Sequence, residues 1–146
     1  MTADAMQNPL HILLVEDNEG DVEMTERALQ SITPPCHLTV VNNGQEALDL
    51  LLRRGRYAEA VTPQLILIDL NMPRMDAKRF LERVKQEPGL GAIPIIVLTS
   101  SQSPTDIREC YERHASCYVV KPFDGKEFMS AIKQIANFWG SLAQLA

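Results

Sequence analysis

The stretch "LILIDLNMP", residues 65–73, decides how this chain reads. Four apolar residues in succession, Leu65 to Ile68, run straight into the carboxylate of Asp69. An unbroken apolar run of this kind is the pattern of a strand covered on both faces. A charge at the end of such a strand is costly unless other groups pair with it. The rest of the sequence has to supply those groups.

Similar runs recur along the chain: "LHILLV" (10–15), "HLTVV" (37–41), "IPIIVL" (93–98) and "CYVV" (117–120). With "LILID" (65–69) they make five candidate strands. All but the second are nearly continuous in apolar residues, as buried parallel strands are. The second alternates His37 and Thr39 with apolar neighbours and reads as an edge strand.

Helical patterns fill the gaps, and each announces its start. Asn18 with Asp21, Asn43 with Glu46, and Asp124 with Glu127 place a capping side chain before an acid in the first turn. Ser103 followed by Pro104 and Asp106 does the same, and Asp76 is a further candidate cap. Apolar residues follow at helical spacing: Val22, Leu29 and Ile32, then Ala47, Leu48 and Leu51, then Phe80, Leu81 and Val84. The order predicts an α/β fold: one doubly wound (βα)5 domain over residues 10–146, with a five-stranded parallel sheet in the order 2-1-3-4-5. Residues 1–9 read as a disordered N-terminal segment.

Composition narrows the function classes. Hydrophobic residues make up 45% of the 146 and charged residues 23%, as in an ordinary soluble domain. No apolar run approaches the roughly 20 residues that span a bilayer, and the start "MTADAMQNPL" has no signal-peptide pattern. A net charge of −5 argues against nucleic acid as a partner. Cys36, Cys110 and Cys117, an odd number without close spacing, fit a reducing cytoplasmic setting. His11, His37 and His114 have no metal partner at ligand spacing and read as structural.

Parallel strands share a carboxyl edge, and ligands bind there at the switch point of the strand order. Glu16 and Asp17 follow strand one, Asp69 ends strand three, Thr99 ends strand four, and Lys121 follows strand five. Strand two ends in "NNG", a turn, and lies at the outer edge. Asp69 is therefore expected to face Glu16, Asp17, Thr99 and Lys121. Three carboxylates beside one lysine need a proton or a cation. Oxygen ligands with room for water suit Mg2+ better than zinc. Asp69 then becomes a candidate nucleophile able to form an aspartyl phosphate, with Thr99 and Lys121 donating to the phosphoryl oxygens.

The motifs "LLVEDN", "LIDLNMPRMDA", "VLTS" and "YVVKPF" resemble those of the response-regulator receiver domain of two-component signalling, from about Leu10 to Ile135. The resemblance implies that Asp69 is the phosphoacceptor and that Glu16 and Asp17 are the acidic pair for Mg2+, Asp17 binding it directly. It implies that Asn71 lends its backbone carbonyl to the metal. It makes Thr99 the switch hydroxyl, Lys121 the phosphate-binding lysine, and Tyr118 the aromatic that moves with Thr99. The family's "MDG" is here "MDA", with Ala77 in place of glycine. The segment "LLRRGRYAEAVTPQ" and the late "NFW" are similar to small stand-alone regulators paired with phytochrome histidine kinases. The implied partner is a sensor histidine kinase, with no membrane and no nucleic acid involved.

Rival functions lack their signatures. The first loop, "EDNEGD", carries four acids and one glycine and repels a bare phosphate, unlike a nucleotide-binding loop. No G-x-S-x-G elbow is present. A haloacid-dehalogenase-type phosphatase carries its aspartyl nucleophile on the first strand, whereas Asp69 ends the third. The remaining alternative is a degenerate receiver that works by contact alone, without phosphorylation.

Past Asp124, Phe128, Ile132, Ile135, Trp139 and Leu142 form one stripe at spacings of four and three. A helix of about 20 residues spans roughly 30 Å, and would outrun the sheet. The expectation is an overhang bearing Trp139, Leu142 and Leu145 that makes a homodimer.

Overall fold

The computed structural model describes residues 9–146 except Pro34 and Pro73, so nearly all of the segment expected to be disordered lies outside the described residues. Strands β1 (Leu10–Val15), β2 (Cys36–Val41), β3 (Leu65–Ile68), β4 (Ile95–Thr99) and β5 (Cys117–Val120) form one sheet. Every pairing is parallel and the order is β2-β1-β3-β4-β5, as the sequence predicts. β4 starts at Ile95, two residues later than the apolar run, because Pro94 has no N–H to give the ladder. It runs on to Thr99.

Helices α1 (Glu19–Gln30), α2 (Gly44–Leu51), α3 (Ala77–Gln86), α4 (Pro104–Glu112) and α5 (Gly125–Asn137) cover the sheet. Strand side chains alternate between two layers. Leu13, Val15, Ile66 and Ile68 pack with Leu48, Phe80, Leu81 and Cys110, under α2, α3 and α4. Ile12, Leu14, Leu65 and Leu67 pack with Leu29, Phe128 and Ile132, under α1 and α5. β2 alternates in burial as an edge strand should, with Val41 buried at its end. β5, read as covered on both faces, is only half-buried throughout, because this strand order leaves it at the opposite edge.

The caps form as the sequence predicts. Asn18 accepts from the Asp21 N–H at 2.9 Å, Asn43 from Glu46 at 2.9 Å, Asp76 from Arg79 at 2.9 Å and Ser103 from Asp106 at 3.2 Å. Asp124 accepts from Lys126 rather than from Glu127. Such caps contribute about 1 kcal/mol each and fix where each helix leaves the sheet edge. Ala77 opens α3 fully buried and helical, so the departure from glycine is absorbed. Gly44, first in α2, sits hard against the loop after β3: a Cβ there would stand 2.6 Å from the Met75 carbonyl oxygen.

The end of the chain departs from the expected overhang. After α5 the chain makes a π-helical turn, Phe138–Leu142, closed by the Ala143 N–H on the Phe138 carbonyl at 2.8 Å. The extra residue in this turn rotates the apolar stripe. Trp139 and Leu145 fold back onto the α1–α5 layer, and Gly140 passes against Leu10. Phe138 and Leu142 are left exposed. No described helix is long and apolar enough to cross a membrane.

Candidate functional site

The carboxyl edge of the sheet opens into a cleft of about 400 Å3 whose lining includes Glu16, Asp17, Asp21, Asp69, Asn71 and Lys121. Each arrives on the end of an element. Glu16 follows β1 directly, its N–H bound to the Val41 carbonyl at 3.0 Å, and Asp69 follows β3, its N–H on the Val15 carbonyl at 3.2 Å. Lys121 follows β5, its N–H on the Thr99 carbonyl at 2.8 Å. The side chains are therefore held by sheet hydrogen bonds on either side of β1, β3 and β4.

Lys121 is the centre of the arrangement. Its Nζ donates to Asp21 Oδ2 at 2.7 Å, Glu16 Oε1 at 2.8 Å and Asp69 Oδ2 at 3.1 Å. The lysine side chain is 11% exposed and that of Glu16 4%. Burial pushes the Glu16 carboxyl above the usual carboxylate range, and the Lys121 ammonium only partly offsets this. Burial alone would lower the Lys121 pKa, but its hydrogen bonds to Asp21 and Glu16 outweigh that and raise it. The other Glu16 oxygen accepts from the N–H groups of Asp17 and Asn18 at 3.1 and 3.2 Å. Asp69 Oδ1 accepts from the Asn71 N–H at 3.3 Å, which aims its second oxygen at Lys121.

Three carboxylates, Glu16, Asp21 and Asp69, thus share one ammonium, and a fourth, Asp17, lines the same cleft. Among the described residues, no three acidic, histidine or cysteine side chains stand in a metal-holding arrangement. The lysine sits where the carboxylate oxygens converge. The donor chemistry nonetheless fits Mg2+: every candidate ligand is an oxygen, and negative charge is in excess. Asp17 is exposed and makes no ion pair among the described residues, so its carboxylate is available.

The structure therefore brings together Glu16, Asp17, Asp69, Asn71 and Lys121. Thr99, expected to face Asp69, is fully buried and does not line the cleft; its Oγ1 accepts from the Ser101 N–H at 3.4 Å. Tyr118 is half-buried against the α2–α4 layer, and its hydroxyl donates to the Ser101 carbonyl at 2.9 Å. Burial raises the pKa of this phenol, so it stays a donor at neutral pH.

Two groups escaped the sequence reading. Asp21 reads there only as a first-turn acid, although the tight "EDNEGD" turn carries it back to the strand ends; its place four residues after Asp17 was the available signal. Lys78, which bridges Asp106 and Glu109 on α4, gives no signal because its partners lie on another helix. The histidines are not fully independent either. His11 and His37 face each other across β1 and β2 with ring centroids 4.9 Å apart, at the pole opposite the cleft.

Comparison with known proteins gives one consistent result. Residues 12–133 match the response regulator receiver domain. The response regulator Rcp1 of Synechocystis sp. is 35% identical over 137 residues, 94% of this chain and 93% of that protein. Among solved structures, the phosphorylated cyanobacterial phytochrome response regulator RcpA superposes with a TM-score of 0.91 at 38% identity, over 94% of this chain and 99% of that one. The Mn2+-bound form of Rcp1 superposes with a TM-score of 0.89 at 35% identity, over the same shares.

Proposed function

The chain belongs to the response regulator receiver domain family, and from that premise we propose that Asp69 accepts a phosphoryl group from the phosphohistidine of a sensor histidine kinase. The observation that carries the reading is the Lys121 ammonium shared between Asp69, Glu16 and Asp21 at the carboxyl edge. That geometry presents a carboxylate oxygen beside a cation already positioned for phosphoryl oxygens.

Asp69 attacks phosphorus, the P–N bond breaks, and the kinase imidazole leaves with the electron pair and takes a proton from solvent. Glu16, Asp17, Asp69 and the Asn71 carbonyl would hold Mg2+, which supplies neutralising charge for the incoming phosphoryl group. Lys121 then exchanges a carboxylate partner for a phosphoryl oxygen, and the Thr99 hydroxyl turns to donate to another. The phosphoryl group adds about −1.5 to −2 charges at pH 7. The output is a change in the surface of α4, β5 and α5, transmitted as Thr99 and Tyr118 move.

The domain acts as a stand-alone regulator in the cytoplasm and signals by protein contact. A phytochrome histidine kinase is the partner favoured by the likeness to RcpA, itself a phytochrome response regulator. Phe123, fully exposed on the rim of the cleft, offers the apolar contact a docking kinase would cover. Exposed Phe138 and Leu142 on the last turns support self-association as a homodimer, for which we propose the α4, β5 and α5 face.

The test is incubation with Mg2+ and acetyl phosphate, read by intact mass. Wild type gains one hydroxylamine-labile phosphoryl group and Asp69→Asn gains none. Asp17→Asn weakens Mg2+ binding and slows the gain together, while Glu16→Gln does less. A folded wild type that never gains mass would replace this reading with the contact-only module.

A further inference from the structure

The parts of the molecule that respond to a phosphoryl group at Asp69 are joined by one chain of polar contacts whose far end lies outside the cleft. Ser101 is its hub. Its N–H donates to Thr99 Oγ1 at 3.4 Å, its carbonyl accepts from the Tyr118 hydroxyl at 2.9 Å, and its hydroxyl donates to Asp106 Oδ2 at 2.6 Å. The Ser103 N–H returns to Ser101 Oγ at 3.3 Å, so the short turn before α4 is held from within as well. Asp106 lies in the first turn of α4, and its second oxygen accepts from Lys78 Nζ at 2.9 Å. Lys78 stands in the first turn of α3 and also donates to Glu109 Oε1 at 2.6 Å, one helical turn further along α4.

We propose that Lys78 and Asp106 form a strap between α3 and α4 that holds residues 100–103, through Ser101, in their present position and so restrains Thr99 and Tyr118. Lys78 and Asp106 are positioning residues: neither lines the cleft with Asp69, and both act on it through Ser101. The inference rests on the phosphoacceptor reading of Asp69 and adds what sets the readiness of that site to respond.

The physical case is one of a moderate, reversible tie. The side chain of Lys78 is 26% exposed, that of Asp106 30% and that of Glu109 32%. Pairs this wet are worth little singly. Here one ammonium engages two carboxylates of α4, and one of those carboxylates is shared with a serine hydroxyl, so the contacts form a network. Its members bias each other in the direction a tie requires. The hydrogen bond from Ser101, then that from Lys78, holds Asp106 below the usual carboxylate range, and Lys78 does the same for Glu109. A tie of this strength shifts a two-state loop without locking it. A surface ion pair with no other role would leave the loop indifferent to its loss.

Four variants separate these cases: Lys78→Met, Lys78→Arg, Ser101→Ala and the double Lys78→Met/Ser101→Ala. Amide hydrogen exchange across residues 100–106 is measured without phosphodonor, and phosphorylation by acetyl phosphate in Mg2+ is followed by intact mass. Lys78→Met is expected to speed exchange and phosphorylation by roughly three- to tenfold, toward the low end of the range for coupled neighbouring side chains because the pairs are partly wet. Lys78→Arg restores wild-type values, and the double variant matches Ser101→Ala alone because Lys78 acts through Ser101. Unchanged exchange and rate in Lys78→Met, or effects that add in the double variant, overturn the strap while the phosphoacceptor reading stands. If wild type takes up no phosphoryl group at all, that reading fails and this proposal with it.

Discussion

Removing the Lys121 ammonium leaves three carboxylates facing one another with no counterion, which makes Lys121→Met the sharpest probe of the cleft. The methionine keeps the stem's packing and deletes only the charge and its three hydrogen bonds, to Asp21, Glu16 and Asp69. Truncating one partner of a buried ion pair costs about 3–5 kcal/mol. The aspartates here are partly wet, so the low end applies, about 3 kcal/mol. For a chain of 146 residues, that corresponds to a fall in Tm of about 6–12 °C. The pH dependence has a definite sign. Burial already raises the Glu16 carboxyl above its ordinary value of 4.5, and losing the ammonium raises it further. A carboxyl with a raised folded pKa contributes stability that is present below the unfolded value and is lost as pH rises through the folded one. The deficit of Lys121→Met should therefore be small near pH 5 and grow toward pH 8. Saturating Mg2+ should close part of the gap at neutral pH, because binding to the native state alone stabilises it by mass action. Urea unfolding across that pH range, with and without Mg2+, measures all three effects. Equal stability of the two proteins at pH 7, or a deficit that does not shrink on acidification, would refute the electrostatic account of the cleft.

Two further substitutions test the frame around it. Gly44→Ala drives a methyl into the Met75 backbone carbonyl, which cannot rotate away as a side chain could. It should cost about 1–3 kcal/mol in urea unfolding, and a neutral result would mean that α2 and the loop after β3 are not pressed together. Phe138→Asp with Leu142→Asp should abolish a homodimer seen by light scattering while leaving Tm nearly unchanged. Trp139→Asp should instead lower Tm, since that ring is folded against the α1–α5 layer. A wild type that stays monomeric at every concentration, with and without a phosphate mimic, removes the dimer.

What the sequence disclosed follows from the range of the interactions involved. Strand positions, caps and inward helix faces are local patterns, and Asn18, Asn43, Asp76 and Ser103 each cap the helix expected of them. The convergence of Glu16, Asp69 and Lys121 was legible for a different reason: parallel topology alone brings strand ends to one edge. Legibility stops where contacts join elements whose relative setting no pattern encodes. Lys78 meets Asp106 across a separation of 28 residues on a neighbouring helix. The half-exposed state of β5 depends on its position in the sheet, since its own composition is that of a core strand. The turn at Phe138–Leu142 reads as plain helix in the sequence because its apolar residues keep α-helical spacing, and no local residue marks the extra one that turns the stripe.

The contact between Gly140 and Leu10 carries a consequence for how this domain can be joined to others. Leu10 opens the first strand, at the amino pole of the sheet, and the last turns of the chain come to rest against it. Both routes out of the described fold therefore leave from the pole opposite the edge that carries Asp69. A fluorescent protein, a surface tether or a second signalling domain fused at either end would project away from the cleft. The same proximity makes the domain suited to circular permutation, with a short linker closing the old ends and new ones opened in an exposed loop. A permutant cut between α2 and β3 and joined across Leu10 and Gly140 should keep the cleft intact.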